Sequence, residues 1–331
     1  MSYDDSFDIS QQNEIINFFN ENGYVVIDNV FTKNECKQIF AHVGDLIKHL
    51  EPEFNINDYS TYNLVSKHMN NFGMITKGPN FDKVFLEMRQ NENMHNIIKL
   101  FIDNYVVSHD RYIFYRPTKN VNIHGNYIDK PEWKTLFKYP ALHLDMDPDI
   151  YQSDNIKKSI DIKNNIQYDD TSGFISEGHV YAKSEGLHLQ GMINIINNTE
   201  DDGGFVCVPK FNFDQWYDYK KKTDYDNMIK DTGKYSFVES DMKYIYEMKR
   251  ITAKAGSLII WNRTMAHTGK PNNSSRPRLG IPISWSPKTS IPNDKRKERQ
   301  NILKKHIKDN DVVVTDIGHD IFDLTDIRNF V

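Results

Sequence analysis

The triplet His143-Leu144-Asp145 sets an imidazole and a carboxylate two residues apart. In an extended strand, residues i and i+2 face the same side, so both groups can converge on one metal ion without special backbone geometry. Two histidine nitrogens and one carboxylate form the facial triad of non-haem Fe(II) oxygenases, which leaves positions open for reactants. Alone, the triplet says little: with 12 His in the chain, about one His-x-Asp is expected by chance. A second histidine has to come from elsewhere.

The stretch from Lys254 to Arg278 offers it. Gly256 turns the chain into the apolar run Leu258-Ile259-Ile260-Trp261, a short loop presents His267 at a strand end, and Pro277 suits the start of a new strand at Arg278. If a 2-oxo acid chelates the metal, its far carboxylate ends in a dry pocket. A buried anion needs a paired cation, and guanidinium offers a planar two-pronged match. Arg278 opens the apolar stretch Leu279–Ile283 and is the preferred anchor, while Arg276 is its rival, expected to remain in the loop.

Other side chains have plainer readings beside the chemical one. Gln190 lies on a predicted core strand and either faces the metal pocket or is an ordinary half-buried strand residue. Tyr115 either donates to a 2-oxo acid or packs as an aromatic. Asp147, against Pro148, reads as a turn residue, Trp261 as core, and His319-Asp320 as exposed.

The elements that must position these groups come in two styles. The first quarter alternates helix and strand: a helix capped by Ser10 and ended by Gly23, the strand Tyr24–Ile27, then a capping box at Thr32–Glu35 opening a helix to about Leu50. One more helical stretch is predicted over Phe81–Asp103. Beyond it the period becomes that of strands, at Arg111–Arg116, Ala141–Asp145, Gly186–Asn197, Gly204–Val208, Ser257–Trp261 and Arg278–Trp285. Polar insertions near 146–185 and 210–250 interrupt this β core and are placed to close over its mouth, the second beginning with a helix near Asp214–Lys222. Residues 1–290 read as one domain, and 291–331 as a charged, solvated amphipathic helix over Asn293–Asn310 with a tail.

Composition narrows the classes. The chain has 331 residues, 38% hydrophobic and 26% charged, with a net charge of −5. Long enough for a substantial core, it is globular rather than disordered, and the acidic balance disfavours a nucleic-acid partner. No apolar run reaches membrane-helix length, and the acidic N-terminus has no secretory pattern, so a cytoplasmic location and no membrane partner are expected. Two cysteines, Cys36 and Cys207, exclude a disulfide scaffold or a multi-cysteine zinc site. The sequence carries no signal of oligomeric state.

The ordered set of His143-Leu144-Asp145, Gly203-Gly204-Phe205-Val206-Cys207-Val208-Pro209, Ala255–Asn262, His267 and Arg278, after the opening Asn22–Phe31, resembles the phytanoyl-CoA dioxygenase family of Fe(II)/2-oxoglutarate-dependent oxygenases over roughly residues 12–285. The resemblance implies a mostly β fold with helices (α+β): a double-stranded β-helix, or cupin-like jelly roll, with N-terminal supporting helices and a C-terminal helical tail. It implies His143, Asp145 and His267 as catalytic metal ligands, Arg278 as the 2-oxoglutarate anchor, Fe(II) and 2-oxoglutarate as cofactors, and ascorbate as an auxiliary reductant. The expected reaction is hydroxylation of a small-molecule substrate with release of succinate and CO2. Halogenases of the family replace the acidic ligand with a small residue, whereas Asp145 is present. One departure is Pro209-Lys210-Phe211-Asn212, where the family has a Pro-Gly-Ser-His-like turn. The competing class is an inactive cupin-like metal-binding or interaction protein.

Overall fold

The computed structural model describes residues 3, 6–75, 81–135, 141–168, 180–222, 235–237 and 247–324. Helix α1 (Gln12–Asn22) ends where Gly23, at φ 78°, adopts the left-handed conformation that closes the helix and turns the chain into strand β1 (Tyr24–Ile27). Gln11, not Ser10, occupies the N-cap, because the Ser10 hydroxyl is already bonded to Asp8. The capping box at Thr32 and Glu35 is present and opens α2 (Lys33–Leu50). The single helix expected over Phe81–Asp103 is two: α3 (Lys83–Met88), capped by Asp82, and α4 (Glu92–Lys99), capped by Asn91. The Asn91 side chain accepts from the Met94 N–H, so a local bond competes with helix continuity at that point.

The β core consists of two antiparallel sheets. Strand β1 pairs with β9 (Leu258–Asn262), β9 with β6 (Leu189–Asn194), β6 with β11 (Arg278–Pro287), and β11 with both β2 (Tyr105–Val107) and β3 (Ile113–Tyr115). The smaller sheet orders β10 (His267–Lys270), β7 (Gly204–Cys207) and β8 (Lys249–Arg250). A separate hairpin joins β4 (Val121–Ile123) and β5 (Asn126–Ile128).

Alternation decides what each face of the large sheet meets. Val25, Ile27, Leu258, Ile260, Leu189 and Ile193 point outward into a core shared with α1 to α4. Tyr24, Val26, Ile259, Trp261, Met192 and Tyr115 point inward and pack against Phe205 and Cys207 of the small sheet. On β11 the outward residues Leu279, Ile281, Ile283 and Trp285 are equally apolar. Its inward row is Arg278, Gly280, Pro282 and Ser284, small or polar, and there a cavity opens between the sheets.

Downstream, α5 (Pro148–Gln152) is capped by Asp147, which accepts from two backbone N–H groups as its turn position suggested. Helix α6 (Ile156–Asn164) is tied to the core by the buried Lys163, which bonds Glu185 and the Ser290 carbonyl. Helix α7 (Phe213–Lys222) packs through Trp216 and Tyr219 in a cluster with Leu142, Leu144, Val208 and Ala266, beside the small sheet. Beyond residue 290, Leu303 of α8 (Asn293–Asp309) and Ile321 of α9 (Asp316–Ile321) join the helix-side core, and Arg299 is fully buried. Asp320 is bonded by Lys288. Among the described residues, no helix is long and apolar enough to cross a membrane.

Candidate metal centre

His143 does not sit in a regular strand. The predicted strand Ala141–Asp145 is reduced to one bridge position, because its neighbours bond irregular chain at Tyr235 and Phe237. That bridge is enough. His143 and His267 exchange both backbone hydrogen bonds, each at 3.0 Å, across an antiparallel pair. Directly opposed residues of such a pair present side chains to the same face, and the two imidazole centroids lie 4.7 Å apart.

Each ring is oriented by its own backbone. His143 Nδ1 lies 2.8 Å from the Ala141 carbonyl, and His267 Nδ1 lies 3.0 Å from that of Met265. A carbonyl only accepts, so Nδ1 carries the proton in each ring and, in the neutral ring, Nε2 keeps its lone pair. Both Nε2 atoms point at Asp145, at 3.3 Å from Oδ1 and 3.4 Å from Oδ2. One donor atom from each of the three residues lies within 4.8 Å of the others. This oxygen-and-imidazole set fits a divalent transition metal, and all three residues line the cavity.

Electrostatics follow from that crowding. Burial pushes the Asp145 carboxyl upward, but the hydrogen bonds and charge of His143 and His267 outweigh it and hold the group well below the usual range. Burial also penalises charge on His143, yet the neighbouring Asp145 carboxylate leaves its pKa raised. Asp145 is therefore an anion at neutral pH, the form a metal requires.

Gln190 faces this site. Its Nε2 donates to Asp145 Oδ2 at 2.8 Å, and its Oε1 accepts from the Trp261 indole at 3.1 Å. Trp261, itself stacked on Phe205 at 4.1 Å, thus fixes which end of the amide meets the carboxylate.

The cavity measures about 420 Å³. Arg278 and Tyr115 line it beyond the metal cluster, paired across β11 and β3 with the guanidinium 5.0 Å from the ring centroid. Burial lowers the Arg278 pKa and raises that of Tyr115, and each group moderates the other's shift. Arg276 goes elsewhere: it bonds Asp202 Oδ2 at 2.5 Å and does not line the cavity, whereas Arg278 does.

Among the cavity residues that were not anticipated are two charged neighbours, Asp110 and Arg111. On β11 the step from Ser284 to Gly280 is matched by a partner stretch, Ser108 to Ile113, that is one residue longer. Such a bulge re-aims side chains, and here it turns both Asp110 and Arg111 to the cavity. The signal lies in the pairing of strands distant in sequence, not in local pattern. The described parts of the insertions, 146–168, 180–185, 210–222, 235–237 and 247–250, contribute no cavity-lining residue; the turn carrying Asn70, Phe72 and Met74 does. The remainder, 169–179, 223–234 and 238–246, lies outside the described residues. The altered turn after β7 puts Lys210 in the left-handed region at φ 59°, held by its N–H to the Asn22 carbonyl and its ammonium to Glu21.

The family model described as phytanoyl-CoA dioxygenase (PhyH) matches residues 19–280, a span that contains the whole cluster. The chain belongs to the phytanoyl-CoA dioxygenase family. It is 29% identical over 304 residues to a Dictyostelium discoideum protein that carries the phytanoyl-CoA dioxygenase name, covering 89% of this chain and 81% of the relative. Among solved structures it is similar to HygX from Streptomyces hygroscopicus with nickel and 2-oxoglutarate bound, at 12% identity and a TM-score of 0.44 over 83% of this chain and 87% of the other. It is also similar to the non-heme alpha-ketoglutarate-dependent epimerase SnoN from nogalamycin biosynthesis, at 10% identity and a TM-score of 0.44 over 84% of each chain.

Proposed function

We propose that this family member is an Fe(II)- and 2-oxoglutarate-dependent dioxygenase that hydroxylates a small molecule in the cytoplasm, built on a double-stranded β-helix formed by its two facing sheets. The observation that carries the reading is the convergence of His143 Nε2, His267 Nε2 and Asp145 on one point at the cavity wall.

In this reading His143, His267 and Asp145 hold Fe(II) on one side only. Arg278, with Tyr115 beneath it, receives the far carboxylate of 2-oxoglutarate. Iron and 2-oxoglutarate together supply oxidative decarboxylation with dioxygen, yielding succinate, CO2 and the oxidising power for a substrate C–H bond. The protein's share is geometric and electrostatic. Gln190 keeps Asp145 turned to the histidines, the backbone carbonyls keep the proton on Nδ1, and Met74, Ile113, Met192 and Phe205 exclude water from the walls. A reductant such as ascorbate would serve iron that becomes oxidised without product formation.

The test is cosubstrate turnover. Full-length protein supplied with Fe(II), dioxygen and 2-oxoglutarate is expected to form succinate, more slowly without a primary substrate than with one, and His143→Ala and Asp145→Ala are expected to form none. Succinate formation retained in either variant contradicts the assignment. Metal uptake without any succinate points to the binding-protein class instead.

A further inference from the structure

The cavity wall across β11 from the metal cluster carries polar groups that the reading above does not use. Gln190, which bonds Asp145, is opposite Ser284 on β11, and beyond it the Ser108 N–H donates to the Ser284 carbonyl. Two ladder steps set this wall about 10 Å from β6. Ser108 and Ser284 satisfy each other, Oγ to Oγ at 2.6 Å. Two neighbours on the same wall do not.

Asp110 lines the cavity at the bulge. Its Oδ1 accepts from the Arg111 N–H at 2.6 Å and lies 3.4 Å from Arg111 Nε, and among the described residues nothing donates to its Oδ2. The side chain is 23% exposed; burial raises its pKa, and Arg111 opposes the rise. A carboxylate so withdrawn from water gains from a second donor. Asn70 lines the cavity from the turn that leads to Met74. The N–H groups of Phe72 and Met74 both donate to Asn70 Oδ1, at 2.9 and 3.0 Å, which fixes the amide and leaves Nδ2 as its uncommitted end. This turn is tied to the same wall, since Ile75 N–H donates to the Tyr112 carbonyl and Phe114 N–H to that of Gly73. Phe72, 53% exposed, places the turn at the rim of the cavity.

The chemistry of this corner selects its ligand. Asp110 and Arg111 set opposite charges side by side, so an ion of either sign is attracted by one and repelled by the other. A zwitterion would have to separate two charges that already face each other. An acyl chain would cover Asp110 Oδ2 and Asn70 Nδ2 without bonding either, at the cost of stranding both. A hydroxyl both donates and accepts, so a molecule with several of them can meet every group present. The Phe72 ring offers an apolar face for its carbon-bound side.

We propose that Asn70, Asp110 and Arg111 form the recognition corner for the primary substrate, and that this substrate is a neutral polyhydroxylated molecule, a polyol or sugar. Asp110 Oδ2 accepts from one hydroxyl and Asn70 Nδ2 donates to another, which leaves the carbon to be oxidised between this corner and the metal. The inference rests on the reading of the site given above.

The experiment follows succinate formation by the full chain with Fe(II), dioxygen and 2-oxoglutarate. Glycerol, myo-inositol, glucose and trehalose are the probes, with proline, lysine and hexanoate for comparison. At least one polyol is expected to raise the rate well above that without substrate, and none of the comparison compounds to do so. Asp110→Asn keeps the acceptor for the Arg111 N–H but presents a donor in place of Oδ2. It is expected to raise KM for that polyol about tenfold to a hundredfold, the scale of one hydrogen bond to a charged group, with kcat little changed. Asn70→Asp keeps the acceptor that holds its turn and loses the donor, and a rise in KM of about tenfold is expected. Anaerobic titration of each Fe(II)-loaded variant with 2-oxoglutarate should give the wild-type charge-transfer band and affinity. Stimulation by no polyol, stimulation by a comparison compound alone, a wild-type KM in both variants, or loss of the band in a variant overturns the inference and leaves the metal site standing. Wild-type protein that gives neither band nor succinate overturns the reading of the site, and the inference with it.

Discussion

The two ends of the inward rows solve the same problem in opposite ways. At the metal end every polar group has found another: the histidines turn to Asp145, Asp145 takes Gln190, and Gln190 takes Trp261. At the Arg278 end the guanidinium meets Tyr115, but its Nε lacks a partner. The first end can hold its shape before a metal arrives. In the proposed reading the second end, at Arg278, receives an anion from outside the protein, and this difference makes distinct demands on mutation.

The largest expected effect is at the metal end. Asp145→Ala removes the ligand that both histidines address and is expected to abolish stoichiometric metal binding, read by metal analysis after gel filtration; retained stoichiometry would show that the cluster is not the metal site. Next comes the contrast between the two arginines. Arg278→Ala should raise the dissociation constant for 2-oxoglutarate by about a hundredfold, as expected when one partner of a buried charged pair is lost. Arg276→Ala should leave that constant unchanged and lower stability by about 1–2 kcal/mol, because Asp202 is buried and loses one of its partners. If Arg276→Ala weakened the cosubstrate and Arg278→Ala did not, the two ends would have been misassigned.

A smaller effect separates a ligand from the residue that positions it. Gln190→Leu keeps all three donors but releases Asp145, and a tenfold to hundredfold loss of metal affinity is expected, about the range for lost outer-shell partners; an unchanged metal titration would reduce Gln190 to packing. The smallest effect is on pH. His143 holds its proton to a higher pH than an ordinary histidine, and a metal must displace it. Metal affinity should therefore rise with pH, to higher pH than an ordinary imidazole would require, and level off once His143 is neutral. In the metal-free protein the sign is opposite for stability: the stabilising charge on His143 is fully present below the unfolded value near 6.5 and is lost as pH rises through the higher folded value. Affinity that falls with rising pH would contradict this placement of the proton.

What could be read from the chain follows the range of the interaction. The capping box at Thr32, the left-handed Gly23 and the separation of Arg278 from Arg276 depend on local stereochemistry or on a neighbouring apolar run. His143, Asp145 and His267 were legible because their order and spacing could be compared with a family pattern, although the strand expected around His143 is only a bridge. Gln190 was half legible: its face was predictable, but its bond to Asp145 depends on a segment 45 positions earlier in the chain. The bulge that aims Asp110 arises from register between distant strands. The final helices look solvated by charge count, yet Arg299 and Leu303 are fully buried, because a single apolar position per turn is enough to dock a charged helix.

The central claim is that the His-Asp-His cluster and the Arg278 end form one site for a metal and a 2-oxo acid. Addition of 2-oxoglutarate to anaerobic, Fe(II)-loaded protein tests it directly, by the visible metal-to-ligand charge-transfer band of a chelated 2-oxo acid. The account predicts a band that saturates with 2-oxoglutarate in the wild type and is absent in His267→Ala. Absence of the band in wild-type protein of confirmed iron content, or its persistence in His267→Ala, would contradict it.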